Sequence, residues 1–188
     1  MEKELTDEQR ELLIGSLLGD GHLRKHGNRV VFEFLQSAKR RFYVEWKHRV
    51  LGELACPEIY YHRNEREYCK LVTKTHPELD ELYREFYRDE RKTVPERIGK
   101  MLTPFVLAVW FMDDGSKSRN AVYFNTQAFT LEEQFRLIKA LRRFYLIFNL
   151  NRDGEHHRLR LLKRCNPRFL ELVRPYILPG FEYKLPTP

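Results

Sequence analysis

This chain repeats itself, and the repeat limits what it can fold into more than any other property. His76-Pro77-Glu78-Leu79-Asp80-Glu81-Leu82 runs parallel to Asn166-Pro167-Arg168-Phe169-Leu170-Glu171-Leu172, with Pro77, Glu81 and Leu82 each matched by an identical residue 90 positions later. Asp20-Gly21 returns as Asp114-Gly115, Gln36 as Gln127, and Lys92 with Pro95 as Lys184 with Pro186, at offsets of 94, 91, 92 and 91. Small changes of offset mark loop insertions or deletions. Several matched pairs in one order mean two copies of one unit, with the boundary near residues 90 to 103. Residues 1–92 and 93–188 are therefore expected to form an N-terminal and a C-terminal half.

Each half reads as helix, two strands, helix, two strands, helix. The first helix opens with Thr6 and Gln9 as a capping box, runs through Leu12, Leu13, Ile14, Leu17 and Leu18, and is expected to stop at Gly21. His22 to Lys25 and Val30 to Gln36 read as a hairpin. Ser37 is placed as the cap of a helix whose apolar stripe is Phe42, Trp46, Val50 and Leu54. Ile59 to Arg63 and Glu67 to Lys74 form a second hairpin turning at Asn64, and Pro77 and Pro167 sit in the first turns of matched helices. In the second half Thr103-Pro104 opens a helix, Val122 to Gln127 is a strand, Thr130 to Leu146 a helix, and Asp153-Gly154 a hairpin turn. The expected fold class is α+β: two pseudo-symmetric αββαββα halves, each an antiparallel four-stranded sheet backed by helices.

Strand side chains point alternately to opposite faces, so Arg158-Leu159-Arg160-Leu161 has one basic and one apolar face, as does Tyr68-Cys69-Lys70-Leu71. With 34 Lys and Arg against 27 Asp and Glu and a pI near 9.3, a polyanionic partner is a reasonable expectation. The reading that fits a duplicated sheet face at major-groove scale is a double-stranded DNA surface. Its candidate residues are Arg24, Lys25, Arg29, Arg63, Arg66, Tyr68, Lys70 and Lys74 in the first half. In the second they are Lys117, Arg119, Asn125, Arg152, Arg158 and Arg160. The alternative is an ordinary solvated sheet face.

The first helix of each half ends in acid followed by glycine: Leu17-Leu18-Gly19-Asp20-Gly21 and Phe111-Met112-Asp113-Asp114-Gly115. Gly15 and Gly19, four apart, leave room for a second helix to approach; Val109 and Asp113 replace them in the other copy. Packed side by side, the helices bring Asp20 and Asp114 together, where their mutual repulsion calls for cations and their oxygens suit Mg²⁺. Alone, either Asp-Gly is a helix cap and turn. Asp113 is either an auxiliary ligand or the partner of a neighbouring basic side chain.

These helix ends, together with Asn125-Thr126-Gln127 and Tyr183-Lys184-Leu185-Pro186, resemble the single-chain, two-motif LAGLIDADG homing endonucleases, in particular the branch whose second motif ends Trp-Phe-Met-Asp-Asp-Gly. The resemblance covers nearly the whole chain. It implies a site-specific, Mg²⁺-dependent DNA endonuclease that makes a staggered double-strand break with 3′ overhangs in a long asymmetric target. It also implies a metal set of Asp20 and Asp114 with Gly19 and Asp113 beside them. Lys92 and Lys184 then lie near the metal and organise water, and Gln36 and Gln127 are polar partners of that water or of the DNA backbone; a capping amide is the competing reading for the glutamines. Because the halves differ at surface positions such as Tyr68 and Lys70 against Arg158 and Arg160, a working monomer is expected.

Other classes find little support. Seven histidines show no metal-ligand spacing, and there is no P-loop or dinucleotide fingerprint. Three widely spaced cysteines fit neither a disulfide framework nor zinc, and the longest apolar run, around Phe105 to Met112, is too short for a bilayer, so a soluble intracellular protein with no membrane partner is expected. The chain shows neither the splicing-domain nucleophile nor the terminal Asn of an intein, which favours an intron open reading frame. Two alternatives use the same scaffold: a maturase that binds its intron RNA, and a DNA-binding regulator without chemistry.

Overall fold

A computed structural model describes residues 4–63 and 67–187; Arg66, the turn expected at Asn64 and the side chain of Arg63 lie outside the described residues. The first half runs α1 (Asp7–Leu18), β1 (His22–His26), β2 (Arg29–Ser37), α2 (Arg41–Leu51), β3 (Tyr60–Arg63), β4 (Glu67–Val72) and α3 (Pro77–Phe86), and a two-stranded ribbon of β5 (Tyr87–Arg88) and β6 (Arg91–Lys92) follows. A short α4 (Ile98–Met101) leads to α5 (Pro104–Asp114), β7 (Gly115–Ser118), β8 (Ala121–Phe124), α6 (Leu131–Leu141), β9 (Phe148–Asp153), β10 (His156–Leu161) and α7 (Asn166–Val173). Both four-stranded sheets are antiparallel and have the same order, β1-β2-β4-β3 and β7-β8-β10-β9. The αββαββα unit is thus present twice.

The helix starts follow local chemistry. Thr6 with Gln9 and Thr130 with Glu133 close full capping boxes, while His76 and Thr103 cap helices that carry proline in the first turn. The sheets cover their helices with alternate residues: Phe32, Phe34, Cys69 and Leu71 in one, Val122, Phe124, Leu159 and Leu161 in the other, all fully buried. Helix α5 is apolar on every side, and Val106 to Met112 are all buried, because it lies at the middle of one continuous core. Among the described residues, no helix is long and apolar enough to cross a membrane.

Several expected boundaries move. Helix α1 ends at Leu18 rather than Gly21, because the Gly19 and Gly21 amides both turn back to the Ser16 carbonyl. Ser37 makes no side-chain cap; a 3-10 turn over Ala38–Arg40 intervenes and α2 starts at Arg41. Its buried face is Tyr43, Val44, Lys47 and Leu51, one residue round from the expected stripe, and Phe42 is 40% exposed. Strand β8 stops at Phe124, where Asn125 donates its amide to the Asp114 carbonyl and Thr126 begins a turn. Helix α6 ends at Leu141, with a 3-10 turn through Phe144 and a left-handed Tyr145.

Candidate active site

The two motif helices meet through α1's glycines. A Cβ on Gly15 would stand 2.7 Å from the Val109 Cβ and 2.8 Å from the Val106 carbonyl, and one on Gly19 only 2.5 Å from the Asp113 Cβ. Val109 and Asp113, which break the repeat in sequence, fill the two hollows that the glycines leave. The asymmetry is complementary packing, and it brings both helix C-termini to one place.

Asp20 and Asp114 emerge there. Asp20 is exposed and its Oδ2 accepts from Gln36 Nε2 at 3.0 Å. Asp114 is half-buried; burial, then the negative charges of Asp20 and Asp113, push its carboxyl up to about 7 against the pull of Lys92 and Lys184. Each helix end also receives a lysine from its own half. Lys92, on β6, donates to the Gly19 and Gly21 carbonyls at 2.7 and 3.0 Å; Lys184, in a 3-10 turn of the C-terminal tail, donates to the Met112 and Asp113 carbonyls at 2.7 and 3.3 Å. Cations suit these carbonyls, which carry the negative end of the helix dipole. Burial lowers both lysines although the aspartates oppose it, and Lys184, which also feels the charge of Arg40, falls to about 8.

Two expected residues stand elsewhere. Both carboxylate oxygens of Asp113 are taken by Lys47 Nζ, at 2.9 and 3.0 Å, and Oδ1 also accepts from Tyr43 at 2.5 Å, so this side chain is no metal ligand. Gln127 donates to Asp153 at 2.7 Å and does not join Asp114. The strand register explains this: Gly115 pairs with Phe124, and the His22–Glu33 register carried one step back sets Gly21 level with Phe34, so Gln36 matches Thr126. Thr126 is buried and donates to Gln134 at 2.9 Å. Gly19 contributes its carbonyl to Lys92.

The sheets' open faces differ between halves. In the first, Glu33 is only 4% exposed and accepts from Arg24, Lys70 and His22 at 2.7, 2.9 and 3.1 Å. Burial would raise the Glu33 carboxyl, but the hydrogen bonds from Lys70 and Arg24 hold it low. His62 stacks on Tyr68 at 4.4 Å. In the second, Arg158 lies 4.4 Å over the Tyr123 ring and 3.4 Å from the Asn125 side-chain oxygen, with Arg160 on the same face. Five expected surface residues turn away. Lys25 lies over Tyr83 on α3, Arg29 pairs with Asp80, and Lys74 stands beyond β4 beside Glu4 and Glu53. Lys117 donates to the Leu185 carbonyl, and Arg152 pairs with His157, so alternation puts it off the face of Arg158. Arg119 is in the β7–β8 turn with φ 47°. Alternation also puts Asn149 and Asn151, missed in the sequence, opposite Arg160 and Arg158.

The donor set suits a divalent cation. Two carboxylates share one spot, and after burial it is the charge of Asp20 and Asp113 that raises Asp114, a repulsion that a cation would relieve. Among the described residues no three His, Cys, Asp or Glu side chains form a metal-holding group, so two carboxylates with phosphate and water oxygens would complete the shell.

A profile of the LAGLIDADG DNA endonuclease family matches residues 10–169, taking in both helix ends that carry the acids, and the chain belongs to that family. It is similar to cytochrome b mRNA maturase bI2 of Debaryomyces hansenii, 29% identical over 197 residues that cover 97% of this chain and 75% of that protein. Probable intron-encoded endonuclease 1 of Wickerhamomyces canadensis is 30% identical over 199 residues, 96% of this chain and 85% of that one. Among solved structures it resembles the homing endonuclease I-WcaI bound to its DNA recognition sequence, with a TM-score of 0.88, 28% identity, and coverage of 98% of this chain and 88% of the other. Of some other curated relatives it spans about half the length, 46% and 47% in two cases.

Proposed function

We propose that this chain is a homing endonuclease that hydrolyses both strands of a long, asymmetric double-stranded DNA target with Mg²⁺ at Asp20 and Asp114, leaving 3′ overhangs. The observation that carries this reading is the pairing of those two acids at one helix seam, each helix end held by a lysine of its own half. A pure binder has little use for repelling carboxylates at its centre. Bound between them, a divalent cation supplies Lewis acidity at a phosphoryl oxygen and a more acidic water. Asp20 and Asp114 hold it, Gln36 fixes the Asp20 carboxylate, and Lys92 and Lys184 put positive charge beside the phosphates while bracing the loops that follow the helices. The open faces, led by Arg24, Lys70, Tyr68, Arg158 and Arg160, line the DNA. The halves divide after Lys92, and with both acids in one chain a monomer cuts both strands.

Asp20→Asn and Asp114→Asn each abolish double-strand cutting of a plasmid carrying the intron-free host junction, and leave binding to that junction intact. Full cutting by either variant removes the metal assignment. The likeness to the Debaryomyces hansenii maturase favours a second reading, in which the chain binds its intron RNA to assist splicing. Tight binding without Mg²⁺-dependent cutting selects that reading, or a regulator that lacks the chemistry.

A further inference from the structure

Among the described residues two lysines are buried, and one of them, Lys47, stands outside the site already described. It lies on α2 of the first half and is 0% exposed. Its Nζ donates to Ser16 Oγ on α1 at 2.7 Å and to both Asp113 oxygens on α5 at 2.9 and 3.0 Å, with the Phe34 and Tyr43 ring centroids 3.6 and 4.7 Å away. A charge taken out of water is tolerated only when its donors are filled, as here, by charged and polar partners. One turn earlier Tyr43 donates to Asp113 at 2.5 Å and lies 3.4 Å from the Val109 carbonyl.

The same helix, with the 3-10 turn that leads into it, also braces the tail that carries Lys184. Tyr43 meets Phe181 edge-on at 4.8 Å, Phe42 lies 5.7 Å from Phe181, and Arg40 donates to the Tyr183 hydroxyl at 2.9 Å. Two elements of the second half, the Asp113-Asp114 end of α5 and the Lys184 tail, therefore rest on α2 of the first and the turn that leads into it. The matching helix α6 gives support in the other direction: its buried Glu133 accepts from Arg91 on β6, the neighbour of Lys92, at 2.9 and 3.0 Å. The other buried polar residue of α6, Gln134, bonds to Thr126 and to the Phe129 carbonyl of its own half. On the first-half side, Lys92 thus sits on a ribbon held both within its own half, where Tyr87 accepts from the Leu23 amide, and by Glu133 of the second, with no hydrogen bond to Lys47 or Tyr43 among the described residues.

We propose that Lys47 and Tyr43 are positioning residues chiefly for the second-half site: they hold Asp114 through Asp113 and Lys184 through Phe181, while the first-half site is reached only through Ser16, so cutting of one DNA strand depends on them more than cutting of the other. This rests on the endonuclease reading. A merely structural role for a buried ion pair would lower both strand rates together, because both sites share one core.

The test follows each strand separately, on a duplex of the intron-free host junction labelled at one end or the other, with Mg²⁺, for wild type, Lys92→Ala, Lys184→Ala, Lys47→Met and Tyr43→Phe. The two lysine variants at the site assign a strand to each half. Lys47→Met is expected to slow the strand that Lys184→Ala slows, by about tenfold or more given how steeply rate falls with misplacement of a reacting group. The strand slowed by Lys92→Ala is slowed markedly less, so nicked product accumulates. Tyr43→Phe, which keeps the ring on Phe181 and the Lys47–Asp113 pair, shows the same strand bias more weakly; it carries the test if Lys47→Met fails to fold by its melting curve. Equal slowing of both strands, or no change on either, overturns the proposal while wild-type cutting leaves the endonuclease reading standing. A wild type that cuts neither strand removes both.

Discussion

Asp114 shows what a single residue can report. Its carboxyl is raised from the usual aspartate range to about 7, first by burial and then by Asp20 and Asp113. Between those two values the folded chain holds a proton that the unfolded chain has lost, so this group's contribution to stability is full at low pH and disappears as pH rises through about 7. The expected outcome is a metal-free melting temperature that falls across that window, with Asp114→Asn flattening the fall. Mg²⁺ competes with the same proton, so its stabilising effect should grow over the same range. A wild-type curve parallel to that of Asp114→Asn in both conditions contradicts the assignment. Lys47 makes the complementary point: a lysine four residues after Tyr43 and four before Leu51 lies on the buried face of α2, a spacing legible in the sequence once that face is known.

At the scale of elements, the seam between α1 and α5 depends on the absence of side chains. Alanine in place of glycine inside a helix ordinarily stabilises by about 1 kcal/mol. At Gly15 the new Cβ would meet the Val109 Cβ at 2.7 Å and the Val106 carbonyl at 2.8 Å, and neither is the free end of a flexible chain. Overpacking of this kind costs about 1–3 kcal/mol, so the clash wins. Gly15→Ala should lower the unfolding midpoint in denaturant and, by parting the helices, reduce cleavage more than DNA binding. An unchanged midpoint would show that the helices do not approach as closely as Gly15 implies. Lys92 and Lys184 belong to this scale too, since each ties a separate segment, the β5–β6 ribbon or the tail, to a motif-helix C-terminus.

For the whole molecule, charge and duplication act together. The excess of basic over acidic residues, +7, includes several open-face cations already held by protein carboxylates, Arg24 and Lys70 on Glu33 foremost. Contacts to phosphate release counterions, so affinity for the junction DNA should fall linearly on a log–log plot against salt. Arg160→Ala should make that slope shallower by about one contact, whereas Lys25→Ala, whose side chain lies over Tyr83, should leave it unchanged. Equal effects of the two would contradict the division of faces. Because one apolar core runs through both halves, thermal unfolding is expected as a single transition.

The duplication, the starts of α1, α3, α5 and α6, the alternating strands and the two acids at matched helix ends are legible in the sequence, because each is written in local spacing: a cap three residues from its partner, a period of two, an Asp-Gly after an apolar run. The sequence could not determine which of two adjacent polar residues a turn presents to the site. Gln127 went to Asp153 and Asp113 to Lys47 because a one-residue shift reverses a side chain, and only strand register and helix packing fix that shift. Nor could it decide which cations of a basic segment face outward. Lys25, Arg29 and Lys117 were taken up by Tyr83, Asp80 and the tail, partners 40 or more residues away in the chain, and burial and charge complementarity across such distances exist only once each half has folded.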